Sequence, residues 1–518
     1  MPSLYFLLTT LFIATLVFLL LNLRGFFSKR HGPLPLPPGP KPWSVVGNLP
    51  HLGPVPHHAL ASLSHIYGPL MYLRVGYVDV VVAASAGVAA KFLKVHDLNF
   101  ASRPPNSGAK YIAYNYQDLV FAPYGDKWRM LRKICAQHLF SSKAMDDFQH
   151  VRQEEVGVLI TSLANAGSEA VNLGQLLTVC TTNALSRALL GQKVFSDGSG
   201  DKQSDDFKQM VVEMMVLAGV FNIGDFIPAL EWLDLQGVAS KMKKLHKRFD
   251  TFLNKCIADH NVMIRKDEAG KATHTDLLSI LIGTKENADG EGGKLTDTQI
   301  KALLLNLFSA GTDTSSSTVE WAIAEILRNP NILAKAQKEL DTVVGKDKLV
   351  TEAHLSQLPY LQAVIKETFR LHPSTPLSLP RVAAESCEIN GFYIPKNATL
   401  LVNVWAISRD PYVWSEPTEF KPERFLPGSE KANVDIRGND FEVIPFGAGR
   451  RICAGMSLGI RMVSFMTATL VHAFNWELPD GLTAEKLNME EAYGLTLQRK
   501  APLMVHPMPR LSPSVYQV

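Results

Sequence analysis

The chain has 518 residues, 46% of them hydrophobic and 19% charged, which is enough apolar material for a large buried core and lies outside the range of disordered proteins. Its formal net charge of +3 is small for that length and gives no argument for a nucleic-acid partner. Five cysteines, Cys135, Cys180, Cys256, Cys387 and Cys453, are scattered without a CxxC pair. This suits a reducing compartment and argues against a disulfide framework or a zinc site.

Residues 1–23 carry no charged side chain, and Leu4 to Leu23 is almost wholly apolar. About twenty helical residues cross about 30 Å of hydrocarbon, so a transmembrane anchor is expected there. A cleaved signal peptide would show a basic start, a shorter apolar core and a small-residue cleavage site, and none is evident. Arg24, Lys29 and Arg30 follow the apolar run and place that flank in the cytoplasm by the positive-inside rule. Residues 24–43 read as a basic, proline-rich linker, because the fixed φ of each proline from Pro33 to Pro42 stiffens an extended spacer.

The remainder, 44–518, reads as one mainly α domain with a small β region. Met71 to Val75 and Val80 to Val82 are expected as strands split by Gly76 and Asp79. Beyond Ser141 the patterns are mostly helical, with breaks near 196–204 and 286–293. Short strands return around Cys387 to Leu401, turned by Asn390-Gly391.

Ile300 to Leu327 begins apolar nearly all round, the mark of a central buried helix. Inside it stands Ala310-Gly311-Thr312-Asp313-Thr314, an unfavourable insertion, since glycine costs about 1 kcal/mol in a helix interior and Thr and Asp compete for backbone bonds. It is either a site or a kink without chemical meaning. Glu367 and Arg370 share a helix face at i, i+3, a spacing that elsewhere usually gives a weak surface pair. Further on, Phe446 to Gly455 is a glycine-rich loop that places Cys453 just ahead of a long apolar helical pattern, Met456 to Phe474. The helix N-terminus there is expected to favour a thiolate; a plain turn with a buried cysteine is the alternative.

The run Phe446-Gly447-Ala448-Gly449-Arg450-Arg451-Ile452-Cys453-Ala454-Gly455 resembles the haem-binding loop of the cytochrome P-450 superfamily, and other signatures of that family follow in order over nearly the whole chain after the linker. The resemblance implies haem b bound through the Cys453 thiolate, with Phe446 and Gly449 of the same loop also among the cofactor-binding residues. A thiolate behind iron favours O–O cleavage. It implies propionate contacts from Trp128, Arg132, Arg381 and Arg451, and a buried structural network of Glu367, Arg370 and Arg424. It assigns 310–314 to an oxygen-binding kink, in which Ala310 and Gly311 leave space and Asp313 and Thr314 deliver protons. It further implies NADPH as electron source through a reductase partner, and an endoplasmic reticulum membrane location with the body facing the cytosol. The exposed-looking cations Lys127, Arg129 and Lys133 beside Arg132 are either a solvated helix face or a docking site for that reductase.

Val80 to Ser85, Arg103 to Lys110, Gly292 to Asp297 and Tyr493 to Arg499 are similar, more finely, to the plant flavonoid 3′-hydroxylases. That resemblance implies hydroxylation of a flavonoid B-ring, as in naringenin or dihydrokaempferol, with the 3′,5′-hydroxylases and other plant phenolic hydroxylases as alternatives. Thr496 leans toward single hydroxylation. By position, Ser107, Ile112, Asn306, Ala310, Thr375, Leu377, Ser378, Thr496 and Leu497 are expected to line the substrate pocket. A haem-thiolate isomerase or dehydratase would need no reductase and could do without the Asp313 and Thr314 pair, and a haem carrier or sensor without catalysis would need no substrate pocket.

Overall fold

A computed structural model describes residues 9–15, 17, 34–167, 169–195, 202–267, 276–286 and 295–517. Most of the expected anchor, the start of the linker and much of the two expected breaks lie outside them. Residues 9–15 are helical and exposed. Gln209–Phe226 is also long and apolar enough, by length and composition, to cross a membrane, with 33% of it buried.

The body is mainly helical, as expected. Its axis is the helix Asp297–Arg328, opened by a capping box in which the Thr296 hydroxyl accepts from the Gln299 amide while the Gln299 side chain accepts from the Thr296 amide. It ends at Asn329, where Pro330 forbids continuation. Against it pack Leu173–Leu190 and Met456–Ala473. The helix runs without interruption through 310–314, so the expected kink is not a break in it. Gly311 serves packing as well as space: a Cβ there would stand 2.7 Å from a Leu185 methyl.

Eleven strands are described: β1 Leu70–Val75, β2 Val78–Ala83, β3 Val171–Asn172, β4 Arg381–Val382, β5 Cys387–Ile389, β6 Phe392–Ile394, β7 Thr399–Val402, β8 Phe474–Glu477, β9 Glu491–Ala492, β10 Gln498–Arg499 and β11 Met504–Pro509. The main sheet has the order β1-β2-β7-β4, antiparallel except for the parallel pair β2 and β7. It brings Arg381, on β4, to the edge of the helical body. Asn390 and Gly391, both with positive φ, close the β5–β6 hairpin.

The described part of the proline run is not a free spacer. Pro38 and Pro35 accept from the amides of Tyr72 and Tyr393 at 2.9 and 2.8 Å, and Pro40 accepts from the Asn48 side chain at 3.1 Å. Its stiffness is used to lie along the sheet rather than to hold the body away. Cys135, Cys180 and Cys256 are buried as expected, whereas Cys387 is half-buried.

Behind the Cys453 loop the helix Pro359–Leu371 carries Glu367 and Arg370, both 0% exposed, into contact with Arg424. Arg370 forks onto both Glu367 oxygens at 2.7 and 2.8 Å, and Arg424 Nε donates to the same carboxylate at 3.0 Å. The remaining Arg370 donors reach the carbonyls of Ser408, Pro417 and Glu419. One buried carboxylate thereby pins the chain from 408 to 424 against this helix.

Candidate active site

A cavity of about 330 Å³ lies between the central helix and the loop that precedes Met456–Ala473. Cys453 is exposed only in the sense that it faces this space. The loop holds it there by short bonds: the Cys453 amide donates to the Phe446 carbonyl at 3.0 Å, the Ile452 amide to Gly449 at 3.0 Å, and the Phe446 ring packs on Phe369 at 5.1 Å. Gly447, at φ +69°, sits on the wall with nothing within 4 Å of where a Cβ would project.

Gly449 also has a positive φ, +70°, but faces away from the cavity. A Cβ there would meet the Leu93 carbonyl at 2.3 Å and the Asp97 carboxylate at 2.5 Å, so its role is close packing behind the loop rather than cofactor contact. Gly449→Ala is expected to destabilise the fold by about 2 kcal/mol, combining the positive-φ penalty with the clash. Thermal unfolding beside Gly481→Ala, where φ is also positive but space is open, separates the two contributions.

The helix end does not by itself hold a thiolate. Burial pushes the Cys453 thiol up, and the opposing pull of the Gly455 amide and of Arg132 is the smaller effect. A cation on the sulfur is needed to keep it ionised.

Four candidate acid-binding residues line the cavity: Trp128, Arg132, Arg381 and Arg451. The Trp128 indole N–H is already committed to the Leu119 carbonyl at 3.0 Å, so it supplies a surface rather than a donor, with the Arg451 guanidinium 4.5 Å above the ring. Arg451 uses Nε and Nη2 on the carbonyls of Ala101 and Ala122, and Arg381 uses Nη2 on Ala448. The Nη1 groups of both are buried without a hydrogen-bond partner among the described residues. Burial lowers each guanidinium to about 10. Asp97, 3.6 Å from Arg381, is the one carboxylate in ion-pair range of it among the described residues.

Arg103 was missed by the sequence reading. It lines the same wall, bonded to the carbonyls of Val120, Leu379 and Pro380 at 2.7–3.1 Å, and burial followed by Arg381 and Arg451 lowers it well below its ordinary value. A cation between the apolar Phe100-Ala101 and Pro104-Pro105 was the available signal.

A thiol, an open glycine cradle and two orphaned guanidinium N–H groups on one wall fit a flat, iron-bearing, doubly acidic ligand such as haem.

Across the cavity the central helix presents Ala310, Gly311 and Thr314. The Thr314 hydroxyl donates back to the Ala310 carbonyl at 2.7 Å. Asp313 is not on the wall. It is buried behind it, accepting from the Thr496 hydroxyl and, at 2.7 Å, from Gln498 Nε2. Burial pushes its carboxyl up, and these two donors pull it back in part.

Of the expected substrate residues, Ile112, Asn306, Ala310, Thr375, Ser378 and Thr496 line the cavity. Asn306 Oδ1 clamps the Leu119 and Val120 amides at 2.9 and 3.0 Å. Ser107, Leu377 and Leu497 do not line it. Ser107 turns to Asp225 and Asn222, joining two surface segments. Leu377 packs among Leu52, Leu60 and the β1–β2 side chains. The Leu497 amide donates to the Ser374 carbonyl, and its own carbonyl accepts from the Ser317 hydroxyl and the Trp321 indole N–H. With the Leu495 amide on the Met215 carbonyl, the segment 495–498 ties the helix Lys202–Gly219 to the central helix.

A cytochrome P450 family model matches residues 37–505. The flavonoid 3′-monooxygenase of Petunia hybrida is 69% identical over 497 residues, 95% of this chain and 96% of that one. A flavonoid 3′,5′-hydroxylase of Crocosmia x crocosmiiflora is 56% identical over 520 residues, 98% and 97% of the two chains. Among solved structures, a zebra fish cytochrome P450 with progesterone superposes with a TM-score of 0.74 at 26% identity, covering 88% of this chain and 99% of that one.

Proposed function

Because the chain belongs to the cytochrome P450 family, we propose that it is a monooxygenase that places one oxygen on the 3′ carbon of a flavonoid B-ring. NADPH supplies the electrons through a reductase partner. The observation that carries the chemistry is Cys453 Sγ facing one cavity with Thr314 and the orphaned donors of Arg381 and Arg451. The 69% identity to a flavonoid 3′-monooxygenase, against 56% to a flavonoid 3′,5′-hydroxylase, supports the substrate and the single hydroxylation.

Haem bound here through Cys453, its acid arms met by Arg132, Arg381 and Arg451, supplies the oxygen-activating chemistry. The chain's own contribution is placement. Ile112, Ala113, Leu119 and Leu495 give flat apolar walls, Thr375 and Ser378 offer directional groups of the kind a polyphenol needs, and Asn306, its oxygen spent on the Leu119 and Val120 amides, holds that wall in place. Thr314 holds a hydroxyl proton at the wall, parked on the Ala310 carbonyl. A rotation about χ1 turns it to the cavity, and Asp313, one residue back, is the acid that replaces it once freed from Thr496 and Gln498. The apolar lining limits stray water and so limits wasted protons.

We place the anchor in residues 1–23, the linker in 24–43 and the catalytic body in 44–518, with the body on the cytosolic face of the endoplasmic reticulum. The apolar run and its basic flank support this placement. Lys127, Arg129 and Lys133 are exposed on the outer face of the helix Asp126–His138, whose inner face carries Trp128 and Arg132, a basic surface suited to an acidic reductase.

The test is incubation of the microsomal protein with reductase, NADPH, oxygen and naringenin or dihydrokaempferol, with products identified by mass and retention. One added oxygen, at 3′, is expected. No product, or two added oxygens as the main product, overturns the assignment.

A further inference from the structure

Away from the cavity, three ligand-type side chains converge where the helix Pro56–Tyr67 meets β9. His57 Nε2 and His58 Nε2 both approach the same Glu491 oxygen, at 2.7 and 2.8 Å, and the three ligand atoms lie within 4.8 Å of one another. We propose that His57, His58 and Glu491 form a binding site for a divalent transition metal of the zinc class, independent of the haem iron.

Two imidazole nitrogens and one carboxylate are a donor set that such ions take, whereas magnesium and calcium take oxygen ligands, carboxylates included, and not imidazole nitrogen. Bond lengths of about 2.0–2.2 Å in tetrahedral array put ligand atoms about 3.4 Å apart. The two contacts to Glu491, now 2.7 and 2.8 Å, therefore need to lengthen by about 0.6–0.7 Å to replace hydrogen bonds by metal bonds.

The surroundings orient these ligands. Trp405 Nε1 donates to the other Glu491 oxygen at 3.1 Å, leaving one oxygen for a metal. Asn403 Nδ2 fixes the His57 carbonyl at 2.9 Å, and the His58 ring packs on Trp405 at 4.4 Å. His57 Nδ1 has no hydrogen-bond partner among the described residues. His57 is fully buried while the His58 side chain is 46% exposed. One side of the cluster therefore opens to solvent, giving the ion a way in and a water a fourth position. The nearest opposing charge, Arg409, lies on the Trp405 ring and is bonded to the Leu371 carbonyl.

A bound ion would cross-link the helix Pro56–Tyr67 to the β9–β10 hairpin, whose turn puts Leu495 and Thr496 on the cavity wall. It would stiffen the pocket without touching substrate.

The experiment uses the untagged, full-length, haem-loaded protein in detergent, titrated with Zn²⁺ by calorimetry and followed by thermal unfolding. Wild type is expected to take up one equivalent and to unfold at a higher temperature with it. His58→Ala and Glu491→Gln are each expected to weaken uptake at least about tenfold and to abolish the thermal shift. His58 is half exposed, so its variant keeps the fold, as an unchanged haem spectrum will show. No stoichiometric uptake by wild type, or equal uptake by wild type and His58→Ala, overturns the proposal.

Discussion

Cys453→Ala is expected to give a folded chain that retains little haem and hydroxylates nothing. The sulfur is the only thiol on the cavity wall among the described residues. No neighbour can take its place: burial pushes the thiols of Cys135 and Cys256 up to about 12, and both point into apolar packing. Without the sulfur, the Arg381 and Arg451 donors hold an acidic ligand only by its edge. Haem content by absorbance and turnover of naringenin, measured beside Cys387→Ala as the matched control, decide the matter. A Cys453→Ala protein with full haem and normal product would sink the assignment of the ligand, whereas loss in both variants would point to general misfolding.

The second large effect is structural. Glu367→Gln is expected to cost about 3–5 kcal/mol, because two buried guanidiniums then face an amide that can neutralise neither. Against a total of about 5–15 kcal/mol for a folded domain, that is a large fraction of the stability and a clear fall in the unfolding midpoint. Arg370→Leu should be nearly as damaging, since it leaves the Glu367 carboxylate, 0% exposed, with Arg424 alone as its charged partner. Lys396→Ala, which breaks the exposed pair with Glu385, should leave the unfolding midpoint in place. Equal shifts for Glu367→Gln and Lys396→Ala in a thermal scan would contradict the buried network as a source of stability.

Which residues the sequence disclosed follows from how locally their geometry is determined. Glu367 and Arg370 share a helix face whatever surrounds them, and Cys453 sits in a loop whose glycines and following helix dictate its shape. The central helix was legible from its apolar surface and the odd 310–314 insertion within it. Asp313 shows the limit. Its place on the helix was readable, but its side chain turns toward Thr496 and Gln498, nearly two hundred residues away, and no pattern within the helix reports that. Ser107, Leu377 and Leu497 were misplaced for the same reason: in turns and short loops, orientation is set by distant partners, here Asp225 for Ser107, the β1–β2 face for Leu377, and the Ser317 and Trp321 donors on the Leu497 backbone carbonyl. Arg103 was hidden because three backbone carbonyls from separate segments, rather than any charged neighbour in sequence, hold it at the wall.

The carboxylate of Asp313 meets the same hydroxyl, Thr496, that borders the substrate space. With Asp313 as the proposed proton source, substrate tolerance and oxygen economy are expected to be genetically linked. A substitution at Thr496 that admits a new ring pattern is then expected to release the acid as well, and variants selected for altered products to spend NADPH on peroxide or water. Second-site changes that restore thrift should fall at Gln498 or Asp313, and the order in which such mutations can be accepted is constrained accordingly.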